Sequence, residues 1–475
     1  MVSEESRSNG ETVIDIKKCD FKVENTAAKD NNASAPIQSE SLREKVFKPC
    51  DSYLTDLYKS EHIKTLYNIF GVATFFLITY YICDDYFKYG RIYLGWFTIK
   101  AGFGGLQYAC GCWFLINLIA LLVYLGVRLW TKINSFVSKG IFRWCLNALF
   151  LLFYIIALLL GFYLCALCCL FYRLPFASAT FILMETVRIL MKIHAFVRTT
   201  IGQSCNSQSP TNNSTNIPSI GHYVFFLFAP TLIYRDSYPR STVPIRWTFL
   251  LARLSEIFII SFHFIFIYER YIEYYYKDFG TTAPKWAQIV EDFYGMMLPC
   301  ALILVLIMVM VLHSIQNFFA ELLHFSDRRF YSNWWTATNY RVYLIRWNCL
   351  VQEWLYEYIY KDICTYVSSN RFVCSFTVIT ISAIMHEVMF SLALQLFLPI
   401  NYICFGVLGY VLMCVPFDGR LGNVTLWVFI VFGMTLQVSL YCMEYYAKLN
   451  CPKMYSENLV DILIPHIWTC LKNHN

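Results

Sequence analysis

Charge is scarce in this chain: Asp, Glu, Lys and Arg make up 15% of its 475 residues, against 57% hydrophobic residues. That balance excludes a string of ordinary soluble domains, in which about a quarter of residues are charged. A repeat of 20 to 50 residues is also missing, which excludes a solenoid. The first sixty residues lack the basic, apolar and small-residue succession of a cleaved signal peptide, so membrane insertion is expected to rely on internal segments. No Walker or Rossmann glycine pattern occurs, and the net charge of +6 is spread over loops, so nucleic-acid binding is not indicated.

Cysteine is abundant rather than lacking, with nineteen residues. Most lie in apolar runs such as "CGC" at Cys110 to Cys112 and "CALCC" at Cys165 to Cys169. No His or carboxylate stands at ligand spacing from them, so they read as small core residues and no metal is expected.

What remains is a polytopic, all-α membrane protein. Runs of about 20 apolar residues occur near 66–83, 108–127, 144–172, 176–197, 247–268, 293–319, 373–398, 402–416 and 422–446. They predict about nine transmembrane helices. The fourth carries Glu185, Arg188, Lys192 and His194, which leaves two options: an interfacial position, or burial inside the bundle. Residues 1–45 are polar and poor in aromatics and are expected to form a disordered cytosolic tail, with 46–475 as the membrane domain. The stretch from Arg128 to Arg143 has four cations and no acid, whereas Glu269 to Asp292 has five acids and three cations. The positive-inside rule places the first in the cytosol and the second in the lumen, and nine crossings leave the C-terminal tail lumenal. There Cys451 and Cys470 are expected either to pair in a disulfide or to stay as free thiols. The sequons at Asn32, Asn212, Asn213 and Asn423 are not expected to carry glycans on this topology.

The segment from His324 to Arg371 is too charged to cross and rich in aromatics. Over Tyr340 to Asp362, the positions Trp347, Val351, Trp354 and Tyr358 share one helical face, which predicts an amphipathic helix lying in the interface. Asn348 and Gln352 share the neighbouring stripe. Within the apolar run from Phe372 to Leu398, "ITISAIMHEVMF" brings in His386 and Glu387. His386 either bridges helices by a hydrogen bond or works as an acid or base in a water-poor tunnel. Glu387 points about 100° away from it on a helix and is expected to bind a neighbouring helix or loop.

Three stretches, "FAPTLIYRDSYPRSTVPIRW" (Phe228 to Trp247), "FYSNWWT" (Phe330 to Thr336) and "SAIMHEV" (Ser382 to Val388), together resemble the sterol O-acyltransferases, or acyl-CoA:cholesterol acyltransferases, of the membrane-bound O-acyltransferase family. The resemblance runs from about Leu57 to the C-terminal "CPKMYSENLVDILIPHIWTC". It implies a multi-pass endoplasmic-reticulum enzyme of lipid and cholesterol metabolism, usually a homo-oligomer. Such an enzyme transfers a long-chain acyl group from acyl-CoA, a co-substrate rather than a cofactor, to a sterol hydroxyl and forms steryl esters.

By that resemblance His386 is the general base and Asn348 its catalytic partner, following Trp347. Trp347, Phe330, Tyr331, Asn333, Trp334, Trp335 and Thr336 then belong to substrate binding, with Gln352, Tyr360 and Lys361 beside them. Asn333 and Thr336 replace the usual Asp and Asn of that motif, and Gln352 replaces a usual His. For the CoA phosphates the candidate cations are Arg328, Arg329, Arg346 and Lys361. The same scaffold leaves open a diacylglycerol or long-chain alcohol as acceptor, or a catalytically weak lipid-binding paralogue.

Overall fold

The computed structural model describes residues 44–137, 140–206, 218–281, 285–416, 418–451 and 458–467. Lys45–Asn475 forms one compact unit. Most of the expected tail, along with the sequons at Asn32, Asn212 and Asn213, lies outside the described residues.

Long apolar runs become long helices because a backbone in lipid must bond to itself. In chain order these are α1 (Glu61–Tyr89), α2 (Leu106–Phe136) and α3 (Ile141–Phe171). Next come α4 (Phe176–Asn206) and the short α5 (Ile220–Phe228). α6 (Trp247–Tyr276) and α7 (Trp286–Leu322) contain π-helical turns. Later helices are α8 (Tyr340–Trp347), α9 (Cys349–Leu355) and α10 (Lys361–Tyr366), then α11 (Arg371–Leu394), α12 (Tyr402–Cys414) and α13 (Gly419–Asn450). Two isolated β-bridges are the only extended pairing among the described residues.

Seven of these helices, α1, α2, α3, α6, α7, α11 and α13, are long and apolar enough to cross a membrane. The other two expected crossings do form helices, but α4 is charged and α12 is short. Nine crossings are therefore not established. α4 takes the second of its two options and packs inside the bundle, with Ile182, Leu183, Ile189, Ile193 and Phe196 fully buried. Its charges are satisfied locally. Glu185 pairs with Arg188 at 2.8 Å. Lys192 Nζ donates to the carbonyls of Phe226, Leu227 and Ala229 at 2.6, 3.0 and 2.6 Å. Three carbonyls at the end of α5 thus accept from an amine that burial pushes well below the usual lysine range.

The aromatic segment departs from expectation. In place of one interfacial helix over Tyr340 to Asp362, the chain breaks at Asn348, which ends α8 and caps α9. A π-helical turn at Tyr356–Tyr360 then leads into α10. The break divides the expected apolar face between two cores. Trp347 packs with Trp334 and Tyr343, whereas Val351, Trp354 and Tyr358 join the core of α2 to α5. Trp354 Nε1 donates to Met191 O of α4 at 2.9 Å, and Tyr358 bonds Thr199. Trp354 and Tyr358 are buried in protein and Trp347 is half-buried against Trp334, rather than laid on an interface.

Candidate active site

α11 starts where the Asn370 side chain accepts the Phe372 N–H at 2.9 Å and ends at Gln395 in the left-handed region. His386 lies roughly 22 Å along it from Arg371. Its side chain is exposed, and the ring of Phe405 on α12 stands 5.4 Å away. His386 Nδ1 is 2.7 Å from the Ser382 carbonyl, one turn back. A carbonyl can only accept, so Nδ1 carries the hydrogen and donates. In the neutral ring Nε2 then keeps its lone pair, and no described group engages it. The helix itself fixes the tautomer that leaves a basic nitrogen available.

Glu387 faces the other way, at 5% exposure. It accepts the Tyr402 N–H at 2.9 Å, the Tyr441 hydroxyl at 2.9 Å and the Ser391 hydroxyl at 3.5 Å. One carboxylate thereby fastens α11 to the start of α12 and to α13, the structural work expected of it. Close approach of α12 also requires Gly406, where an added Cβ would sit 2.9 Å from the Ala383 methyl.

Asn348 is half-buried, and its Oδ1 accepts the Val351 N–H at 3.2 Å, capping α9. Its Nδ2 hydrogens bond to no described group, so one amide combines a structural acceptor with two free donors. His386 and Asn348 form no hydrogen bond with each other, and each makes its polar contact locally.

Phe330, Tyr331 and Trp334 are buried, so most of the "FYSNWWT" aromatics are core. Trp334 packs edge-on against Trp347 at 4.7 Å and lies 5.5 Å from Trp427 of α13. The open part of the motif is polar: Thr336 is exposed and Asn333 half-buried, the latter accepting from Ser332 at 3.1 Å. Trp335 O is held by α13, accepting from Asn423 Nδ2 at 3.0 Å and Trp427 Nε1 at 3.2 Å.

Tyr331 reaches a buried network that sequence reasoning missed. Its hydroxyl lies 2.7 Å from His313 Nδ1, while Arg253 meets His313 Nε2. A guanidinium only donates, so Nε2 accepts and the Nδ1 hydrogen points to Tyr331. Arg253 also pairs with Glu256 at 2.7 Å, and Glu256 accepts from Ser314 at 2.6 Å and Tyr67 at 3.2 Å. A signal existed: Arg253, Glu256 and His313 are ionisable residues in apolar runs, as His386 is.

The expected phosphate cations divide. Arg328 is buried and paired with Glu321 at 2.7 Å, and Lys361 is paired with Glu357 at 2.8 Å. Arg329 is half-buried, its backbone N–H donating to Asp327 Oδ1 at 3.4 Å, and Arg346 makes no ion pair with the described residues. Tyr360 stacks on Tyr356 at 5.4 Å, and burial pushes its phenol up to about 12. The Gln352 side chain is half-buried and without a hydrogen bond to the described residues. Beside it, burial raises the Glu353 carboxyl above its ordinary range although Lys45 lies 2.6 Å away. Cys451 is disulfide-bonded, and Cys470, its expected partner, lies outside the described residues.

α11 thus presents a histidine whose Nε2 no described group engages, and the α8–α9 break presents an amide whose Nδ2 no described group engages. Residues 162–445 match the model of MBOAT, the membrane-bound O-acyltransferase family, and the chain belongs to that family. It is 30% identical over 447 residues to Sterol O-acyltransferase 1 of Mus musculus, covering 93% of this chain and 82% of that protein. To Sterol O-acyltransferase 2 of Homo sapiens it is 32% identical over 441 residues, covering 90% and 81%.

Proposed function

We propose that this chain is a sterol O-acyltransferase that moves a long-chain fatty acyl group from acyl-CoA to a sterol hydroxyl, with His386 as general base. The observation that carries the reading is the fixed tautomer of His386: Nδ1 is tied to Ser382 O, and Nε2 is open. Similarity to proteins named sterol O-acyltransferase supports the choice of acceptor.

In the proposed reaction the sterol oxygen attacks the thioester carbonyl while Nε2 takes the hydroxyl proton. The Asn348 Nδ2 donors face the charge that develops on the carbonyl oxygen. Collapse of the tetrahedral intermediate breaks the carbon–sulfur bond, and the departing CoA thiolate recovers the proton from the imidazolium. The products are steryl ester and CoA. The thioester is already activated, so transfer is direct and needs no acyl-enzyme. Arg346 supplies a cation for the CoA phosphates, and the polar Asn333–Thr336 edge borders the acyl-CoA entry. An endoplasmic-reticulum location and a homo-oligomeric state belong to the same proposal.

The test is acyl transfer from labelled oleoyl-CoA in microsomes offered cholesterol, diacylglycerol and a long-chain alcohol in competition. Steryl ester is the expected product. Formation of another neutral lipid in its absence overturns the sterol assignment.

A further inference from the structure

Asn423 begins a sequon, "NVT", yet its side-chain amide is already committed. Nδ2 donates to Trp335 O at 3.0 Å and to Ala337 O at 2.7 Å. Four residues on, Trp427 Nε1 donates to the same Trp335 carbonyl at 3.2 Å. The two side chains lie one turn apart on α13 and form a single stripe facing the turn Trp334–Thr336.

Those carbonyls need the help. The 3₁₀ turn satisfies Asn333 O and Trp334 O from within, through the N–H groups of Thr336 and Ala337. Trp335 O and Ala337 O receive no backbone donor from the described residues, and an unsatisfied carbonyl beside a packed core is costly. The chemistry suits an asparagine. One NH₂ carries two hydrogens about 120° apart, enough for two carbonyls at once. Serine has one hydrogen, and aspartate at neutral pH has none.

The grip also extends inward. The turn carries Trp334, whose ring packs on Trp427 at 5.5 Å and on Trp347 at 4.7 Å, directly before Asn348. Fixing the turn therefore fixes its open polar edge at Asn333 and Thr336 and supports the Trp347–Asn348 break from the same side.

We propose that Asn423 is a positioning residue, the clasp by which α13 holds the Trp334–Thr336 turn in the conformation that receives acyl-CoA, with Trp427 as its second donor. This role rests on the acyl-CoA-dependent reading given above.

The test uses full-length protein in nanodiscs, with Asn423→Asp, Asn423→Gln and Trp427→Phe. Asn423→Asp keeps the shape and removes both donors. Asn423→Gln keeps an NH₂ group on a longer arm, and Trp427→Phe keeps an aromatic ring and removes one donor. The readouts are hydrogen exchange at the Thr336 and Ala337 amides, equilibrium binding of oleoyl-CoA, and KM for oleoyl-CoA and for sterol measured separately.

For Asn423→Asp the expected results are faster local exchange and about a tenfold weaker oleoyl-CoA affinity and higher KM, with the sterol KM unchanged. Asn423→Gln is expected to recover part of this, and Trp427→Phe to lose about threefold. A role in stability alone would lower the yield of active protein and leave KM where it was, and that result overturns the clasp. Exchange and oleoyl-CoA binding in Asn423→Asp equal to wild type also overturn it. Wild-type protein that binds no oleoyl-CoA removes the acyltransferase reading, and this role with it.

Discussion

Replacing Glu387 with alanine should loosen a joint between helices without touching the chemistry one residue away. The buried carboxylate satisfies the Tyr402 backbone N–H and the Tyr441 hydroxyl, each at 2.9 Å, and touches Ser391 at 3.5 Å. Alanine leaves the Tyr402 N–H and the Tyr441 hydroxyl hydrogen without acceptors in a buried site, while the Tyr441 oxygen still accepts from the Asn401 N–H at 3.3 Å. At about 1–3 kcal/mol for each buried orphan, the loss is about 2–6 kcal/mol. Glutamine keeps an oxygen for the Tyr402 N–H and can turn its NH₂ toward the Tyr441 oxygen, so Glu387→Gln should cost about 1 kcal/mol. The assay is thermal aggregation followed by size-exclusion fluorescence, with turnover expressed per folded molecule. Glu387→Ala should show a lowered midpoint and poor recovery, and the fraction that folds should retain turnover. Wild-type stability with no turnover per folded molecule would refute the reasoning and place Glu387 in the reaction.

Other expectations follow from the same geometry. Asn348→Asp preserves an oxygen cap for the Val351 N–H and removes the free Nδ2 donors. Its stability should match wild type while kcat falls about a hundredfold or more, and an unchanged kcat would remove the oxyanion role. Gly406→Ala places a methyl 2.9 Å from Ala383 and should push α12, with Phe405, away from His386. Reduced ester synthesis in correctly folded protein would show this. Burial pushes the Cys349 thiol up to about 12, so it remains protonated at neutral and mildly alkaline pH. Mass spectrometry should find it unalkylated by maleimide at pH 8 until the protein is denatured.

The crossings were legible where apolar runs are long and hold few charges, as in α2, α3 and α7. α4 was ambiguous because what permits its burial, three carbonyls at the end of α5 around Lys192, comes from a segment that the local sequence does not reveal. The break at Asn348 was hidden for a related reason. Helical spacing continued through Trp347, Val351 and Trp354, and only packing against two different cores separates them. At the site, the divergence of about 100° between His386 and Glu387 was readable from helical periodicity. The tautomer of His386 and the free donors of Asn348 depend on side-chain rotamers toward local partners, Ser382 O and the Val351 N–H, which residue spacing does not reveal. Asn423 was visible in the sequence only as a sequon, because a hydrogen-bonding role toward a distant turn leaves no local pattern.

The central claim is that His386 Nε2 takes the proton of the acceptor hydroxyl. Its most direct test is steryl ester formation from labelled oleoyl-CoA and cholesterol by wild type and His386→Ala, at matched amounts of folded protein. The account predicts ester from the wild type and none above background from the variant, with oleoyl-CoA binding retained by both. Ester formation by His386→Ala at a rate near that of the wild type would contradict it.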